Sequence, residues 1–552
     1  MKAIVTNDNR NRGTLPSIFE RTGIGALLIL MAVLSPFAFP APVQDKGASY
    51  RQAVLSIQRE IEANNLDGAS ALITSASKEF PSDGGIENLL GVVEIQRGHV
   101  SGARQAFSAA IRHDPRLAAA YLNLSRIDMQ AAASDLVARN EALRLSEKVL
   151  QLQPASDEAN YQIAAILNWT QSYSASLEHL ARLSASARAQ IGAEALLCAD
   201  EAALGHREAA DRAAASLAAN TDLTEQDANT CLPSLRAAHR ADLIESIFAA
   251  AAARQPLSFS GLRILGLAQE AEGKLEQARA TLESAFVADS RSAAVLVDLT
   301  RIAETAKDYQ GALGYLAHAR ELQPADASLP YEFGSICIKL GLYAESRKAI
   351  AEAVRLAPDN PEYNFGMGTV VSFSQDPSEA LPYLEKYHAL RSRDPEGILE
   401  LGTTCFRAKD FDSAVKWLKQ VIADPKTSPD AYFYLGRIAR QEGHLDEATD
   451  DLKRSLALRP DHPDVLAELG QICVTTRSYP AAQSYFERAI RLDRDNYSAN
   501  FGLLQLYART YDERREQQAK RFDEIKDKKE EQEREMMRVI EIRPDGGPSN
   551  LQ

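Results

Sequence analysis

The 552-residue sequence predicts an all-α fold built as a stack of antiparallel helix hairpins, and three observations carry that expectation. Glycine recurs on one 34-residue grid at Gly266, Gly334, Gly368, Gly402, Gly436 and Gly470, with only Thr300 off pattern. Alanine follows twelve residues later at Ala278, Ala312, Ala380, Ala414, Ala448 and Ala482, with Ser346 the exception. Glycine and proline are otherwise scarce, 29 and 23 residues against a usual joint share of ~12%, and both are poor in helix interiors.

Residues 1–22 carry Lys2, Arg10, Arg12 and Arg21 against Asp8 and Glu20. An apolar run then covers residues 23–34, and Pro36, Pro40 and Pro42 discourage its extension. Twelve helical residues reach about 18 Å, short of the roughly 30 Å hydrocarbon core. Residues 1–42 are therefore expected to be a signal peptide or membrane anchor with a polar, basic leading region. The chain beyond it is expected to be exported, periplasmic or secreted. The alternative is an inner-membrane tether through residues 23–34 that keeps the repeats outside the cytoplasm.

The best unit spans Asp430, Tyr432, Leu435, Gly436, Gly443, Ala448, Leu452 and Pro460. These columns resemble the tetratricopeptide repeat (TPR), a helix–turn–helix unit with a W-x2-L-G-x2-Y…A-x3-F…P pattern. The resemblance implies a right-handed α-α superhelix whose first helices line a concave face. Seven regular units fill 259–496, and the grid continues backwards to about thirteen in all. An N-terminal stack covers 50–224, with Gly91, Ala103, Phe107 and Pro115 marking a strong unit. Ser125 and Ala142 stand 17 residues apart instead of twelve, so unit 118–156 holds an insertion. Units at 157–190, 191–224 and 225–258 lose the glycine column, which reads Ala164, Cys198 and Leu232. Pro233 falls inside the first helix of 225–258. Either that helix begins at Pro233 or the stack kinks there, and 225–258 is read as a possible joint. Residues 497–541 are expected to form a capping helix followed by a charged helix, and 542–552 a disordered tail.

Physical chemistry explains the columns. Glycine at position 8 of a unit and alanine at position 20 let two helices approach closely, while large residues at positions 7 and 24 fill the seam. A turn glycine at position 15 supports a left-handed residue. No hairpin buries its apolar face alone, so neighbours must stack.

The formal charge of −14 argues against a nucleic-acid ligand, which needs a basic face. No H-E-x-x-H, C-x-x-C, Walker or G-x-S-x-G motif is present, so no catalytic residue, metal ligand or cofactor is expected. Cys337, Cys405 and Cys473 occupy position 11 of alternate units and read as small core fillers. Cys198 and Cys231 lie at positions 8 and 7 of adjacent units, where a meeting is conceivable.

The resemblance further implies that positions 2, 5, 9, 12 and 13 of each unit point into the groove. From about 331 to 440 those positions form an apolar strip bordered by arginines: Tyr331, Phe365, Phe373, Leu399, Phe406, Arg407, Phe433, Arg437 and Arg440. Aromatics beside arginine suit an extended peptide or amphipathic helix carrying an acidic group. The family's clamp for chaperone tails needs Lys and Asn at positions 5 and 9, which these units lack. The expected function is a non-enzymatic scaffold for protein or peptide partners. Two alternatives stand beside it: a self-associating envelope or secretion-machine subunit, and an enzyme with an unrecognised site on the solenoid.

Overall fold

A computed structural model describes residues 47–372 and 376–536. The expected signal or anchor at 1–42, groove residue Phe373 and the tail at 542–552 lie outside the described residues. Everything described is helical or turn, in twenty-nine α-helices from Ala48–Glu62 to Arg515–Met536. Within each of the chain's two compact units, successive helices pair as antiparallel hairpins and each hairpin packs on the next, which is the α-α solenoid expected. The chain divides into two compact units at residues 278 and 279.

The grid has a direct structural cause. A Cβ on Gly436 would lie 2.7 Å from Leu452 Cγ, and one on Gly402 would lie 2.8 Å from Leu418 Cγ. Each pair is position 8 against position 24, so the bare glycine is what lets the large second-helix residue reach the first helix. Helix starts follow local capping: Asp394 accepts from the Gly397 amide at 3.0 Å and Asn496 from Ala499 at 2.9 Å.

Position 15 is more regular than its amino acids. Gly98, Gly205, Gly273, Gly341 and Gly443 have φ of 74–87°. Asn64, Gln171, His239, Lys307, Lys409, Arg477 and Tyr511 occupy the same place at 54–63°. The left-handed turn therefore recurs even at Gln171, Gly205 and His239, in units that have lost the glycine column.

The first compact unit departs from the grid in two ways. In the insertion-bearing repeat, Ser125 stands where glycine is usual, and its hydroxyl contacts Ser146 Oγ at 2.8 Å and Gln162 Oε1 at 2.7 Å. Arg126 donates to Glu158 and, at 3.0 Å, to Asn123 Oδ1, whose amide reaches Asn88 Oδ1 at 3.0 Å. A satisfied polar network thus replaces the glycine seam there. Further along, the helices Ile191–Ala203 and Glu225–Ala237 pack directly on one another, and Ala195, Cys198, Ala199 and Ala228 are all fully buried. Small residues line the contact between consecutive first helices here as well as the hairpin seam, where Ala210 and Ala214 are buried.

Residues 225–258 are not where the compact units divide, because their Leu235, Ile247, Phe248 and Ala251 join a core running from Ala195 to Ala268. The first helix there does not begin at Pro233 either. It starts at Glu225 under a capping box in which Thr224 and Asp227 exchange hydrogen bonds, and it passes through Pro233 to Ala237.

Asp200 is fully buried in the same unit. Asn168 donates to its Oδ1 at 2.7 Å, while Oδ2 has no hydrogen-bond partner among the described residues. Burial pushes its carboxyl up to about 6. The unfolded chain therefore ionises first as pH rises, and stability falls between about pH 4 and pH 6. Asp200→Asn is expected to match the native chain near pH 4 and to be more stable by roughly 1–3 kcal/mol at neutral pH. Denaturant midpoints at the two pH values check this; parallel curves would refute it.

The second compact unit ends in a cap. The helix Arg515–Met536 packs on Tyr497–Thr510 through Phe522 and Ile525, only 8% and 5% exposed. Phe522 meets Tyr497 and Phe501 with ring centroids 4.9 and 5.2 Å apart. Arg521 and Lys528 both bind Asp495, which fixes the register of this otherwise polar helix.

Candidate functional site: a first-helix face in the second unit

The hairpin seam consumes positions 7, 8, 20 and 24, so the opposite side of each first helix is left outward. On Ala293–Thr305 that side is Ala294, Val297, Arg301, Glu304 and Thr305, while the intervening residues are buried. The same arc on the next helices carries the strip expected from sequence.

The strip falls into two parts. Tyr331, Phe365 and Leu399, on Ser328–Lys339, Pro361–Ser372 and Pro395–Arg407, are half-buried and keep part of their surface in solvent. Tyr331 leans on Tyr363 with centroids 4.7 Å apart, and Phe365 on Tyr387 at 4.9 Å. Tyr387 is held by its hydroxyl donating to Asp394 Oδ2 at 2.6 Å. Burial raises the phenols of both Tyr331 and Tyr387, the latter to about 12, so both are neutral donors at physiological pH.

Phe406 and Phe433 behave differently, being only 8% and 7% exposed. Their rings form a box with Tyr434, and the Arg437 guanidinium lies over all three, 4.7 Å from Phe406, 5.4 Å from Phe433 and 5.8 Å from Tyr434. His462 closes the far face of Phe433 at 5.0 Å. These two phenylalanines are the mount for an arginine, and the outward face is the flat cation they support.

The arginines are paired. Arg407 Nη1 reaches Glu400 Oε1 at 3.2 Å and Ser372 Oγ at 3.0 Å. Arg437 Nε and Arg440 Nε reach the two oxygens of one residue, Glu468, at 3.1 and 2.6 Å. One carboxylate thus serves two guanidiniums and leaves that corner one positive charge in excess. Glu400 and Glu468 hold the arginines of the strip and were not named from the sequence. Both hold position 6 of their units, as do Asp298 and Glu332, so an acid recurring there was a legible signal.

The rim is acidic and braced. Glu362, Asp430 and Glu396, each at position 2, pair with Arg391 and Arg459, which cap the second helix of the same repeat, and with Lys426 in the loop after it. Being exposed, these pairs add little stability, but they line one edge with alternating charge. Among the described residues no group of three His, Cys, Asp or Glu is placed to hold a metal ion, and no helix is long and apolar enough to cross a membrane.

Three stretches of the chain match the tetratricopeptide repeat: residues 56–118, 303–364 and 439–505. No curated protein matches the chain by sequence. Among solved structures, YrrB, a TPR protein with an unusual peptide-binding site, is 20% identical over 36% of this chain and 97% of its own, with a TM-score of 0.31. The APC/C hetero-tetramer Cut9–Hcn1 is 14% identical over 83% of this chain and 96% of that chain, at 0.34. A tetratricopeptide repeat protein from Parabacteroides merdae is 15% identical over 45% and 98%, at 0.37.

Proposed function

We propose that this chain, three stretches of which match the tetratricopeptide repeat, is a non-enzymatic scaffold that captures a protein segment on the first-helix face of residues 331–440. The observation that carries this reading is the row of half-exposed Tyr331, Phe365 and Leu399 ending at the Arg437 platform. None of the four is needed for the glycine seam, yet together they make an apolar track with a cation at one end. An extended or helical segment with apolar anchors and an acidic group fits it. The chain acts outside the cytoplasm on this reading, with residues 1–42 supplying export or a tether.

Affinity capture from membranes and periplasm, followed by mass spectrometry, is the test. The native chain is compared with one carrying Phe365→Ala and Arg437→Ala. Equal recovery by both removes the groove from the function.

The acidic group has a separate test. Glu468→Gln removes the carboxylate that Arg437 and Arg440 share, while keeping side-chain shape. Affinity for an acidic partner is expected to rise, by roughly 1 kcal/mol or about five-fold at low salt, with a steeper salt dependence. Calorimetry in two salt concentrations checks it. Unchanged binding keeps the apolar track and discards the acidic group.

A further inference from the structure

Five cysteines are present, and all are reduced. Cys337, Cys405 and Cys473 each stand alone at position 11 of separate repeats. Cys198 and Cys231 do not. They sit on Ile191–Ala203 and Glu225–Ala237, the two first helices that pack directly together. Both are fully buried in one core, between Ala195, Ala199 and Ala202 on one helix and Ala228 on the other. Cys198 is the neighbour that most raises the Cys231 thiol, ahead of burial, and Cys231 Sγ lies 3.2 Å from the Ala228 carbonyl oxygen. The scaffold function gives this pair no task.

We propose that Cys198 and Cys231 form a disulfide that staples two consecutive first helices across a repeat boundary. A disulfide needs Cα atoms roughly 4.4–6.8 Å apart and sulfurs with nothing between them. Two alanine-lined helices that pack directly together, with both thiols fully buried in one core, place the pair where that approach can be made. The bridge closes the loop carrying the intervening helix Arg207–Ala219, so it ties together repeats that have lost the glycine column.

The chemistry requires an oxidant of the disulfide class, such as glutathione disulfide. One cysteine thiolate attacks it, forming a protein–glutathione mixed disulfide and releasing one glutathione thiolate. The second cysteine gives up its proton and attacks the protein sulfur of that mixed disulfide, releasing the second glutathione. Two protein thiols lose two electrons and two protons, and one glutathione disulfide becomes two glutathiones. The neighbouring Cys198 and burial hold the Cys231 thiol protonated in the folded chain, so it is inert there. Oxidation is consequently expected during folding, before this core closes, and the folded reduced protein resists it.

The test uses the full chain, unfolded and reduced, then refolded in a mixture of reduced and oxidised glutathione. Acid quench, alkylation and a non-reducing peptide map follow. The expected product links the Cys198 and Cys231 peptides, in roughly tenfold excess over all other pairings, and is lighter by two hydrogens. The other three thiols are alkylated. Five alkylated thiols overturn the proposal, as do glutathione adducts at Cys198 or Cys231 that never resolve, or comparable pairing with Cys337, Cys405 or Cys473. A chain carrying Cys337→Ala, Cys405→Ala and Cys473→Ala leaves the pair as the only thiols and must still form the bridge. Cys198→Ala must abolish it and leave a stable glutathione adduct on Cys231.

Discussion

Phe486→Ala is expected to cost about 3–5 kcal/mol and to melt the last repeats before the rest of the second unit. The ring is fully buried, and it is gripped from two directions. A Cβ on Gly470 would come 2.6 Å from Phe486 Cε1, and one on Gly502 would come 2.4 Å from the same atom. One glycine belongs to the ring's own hairpin and the other to the following first helix. Removing the ring therefore empties an intra-repeat seam and an inter-repeat seam together, and glycines on both sides cannot refill the space. Because each repeat leans only on its neighbours, the damage stays local. Hydrogen exchange should show protection lost in Tyr479–Leu492, Tyr497–Thr510 and Arg515–Met536, with repeats near Tyr331 unaffected. Uniform loss of protection across 279–536, or a midpoint unmoved from the native chain, would refute this account.

The Phe365→Ala, Arg437→Ala chain is expected to keep its helicity and to bind its partner at least ~30-fold more weakly, corresponding to a hot spot of about 2 kcal/mol or more. Phe365 is half-buried and rests on Tyr387, which Asp394 holds in place independently. Arg437 can be removed without stranding a charge, since Glu468 retains Arg440 at 2.6 Å. Phe433 is left intact because it is 7% exposed and sits in the core, where truncation would confuse unfolding with lost binding. Circular dichroism and titration calorimetry on the same samples separate the two effects. Undiminished affinity with native helicity sinks the groove.

The repeat was legible because its cause is short-range and periodic: in the regular units a bare position 8 faces a large position 24. Gly436 with Leu452 and Gly470 with Phe486 state the rule in sequence as clearly as in space. The middle of the first unit was less legible for the opposite reason. There the close approach is lined by Ala195, Ala199 and Ala228, and alanine in a helix announces nothing. That Cys198 and Cys231 share one core follows from this packing of first helices, so spacing alone could only leave their meeting open.

At the candidate site, sequence named the aromatic strip and the arginines but could not rank them. Whether Phe406 and Phe433 face solvent depends on Arg437 folding back over them, a choice among rotamers rather than residues. Likewise, the partner of Arg437 and Arg440 comes from the following repeat, and pairing of Arg437 with Glu468 across a 31-residue separation leaves no local trace. The charged C-terminal helix was readable as polar, while its apolar docking rests on Phe522 and Ile525, two residues in a charged stretch.

The left-handed turn at position 15 gives the molecule a graduated scale. Lys409, Gly443 and Arg477 mark successive divisions 34 residues apart with the same backbone pose, whatever side chain each bears. A graduated object can be lengthened or shortened by whole divisions, because the cut ends on either side of a removed repeat already match. Reach along a partner is then a quantity that inheritance can adjust in discrete steps, independently of the chemistry displayed at any one step.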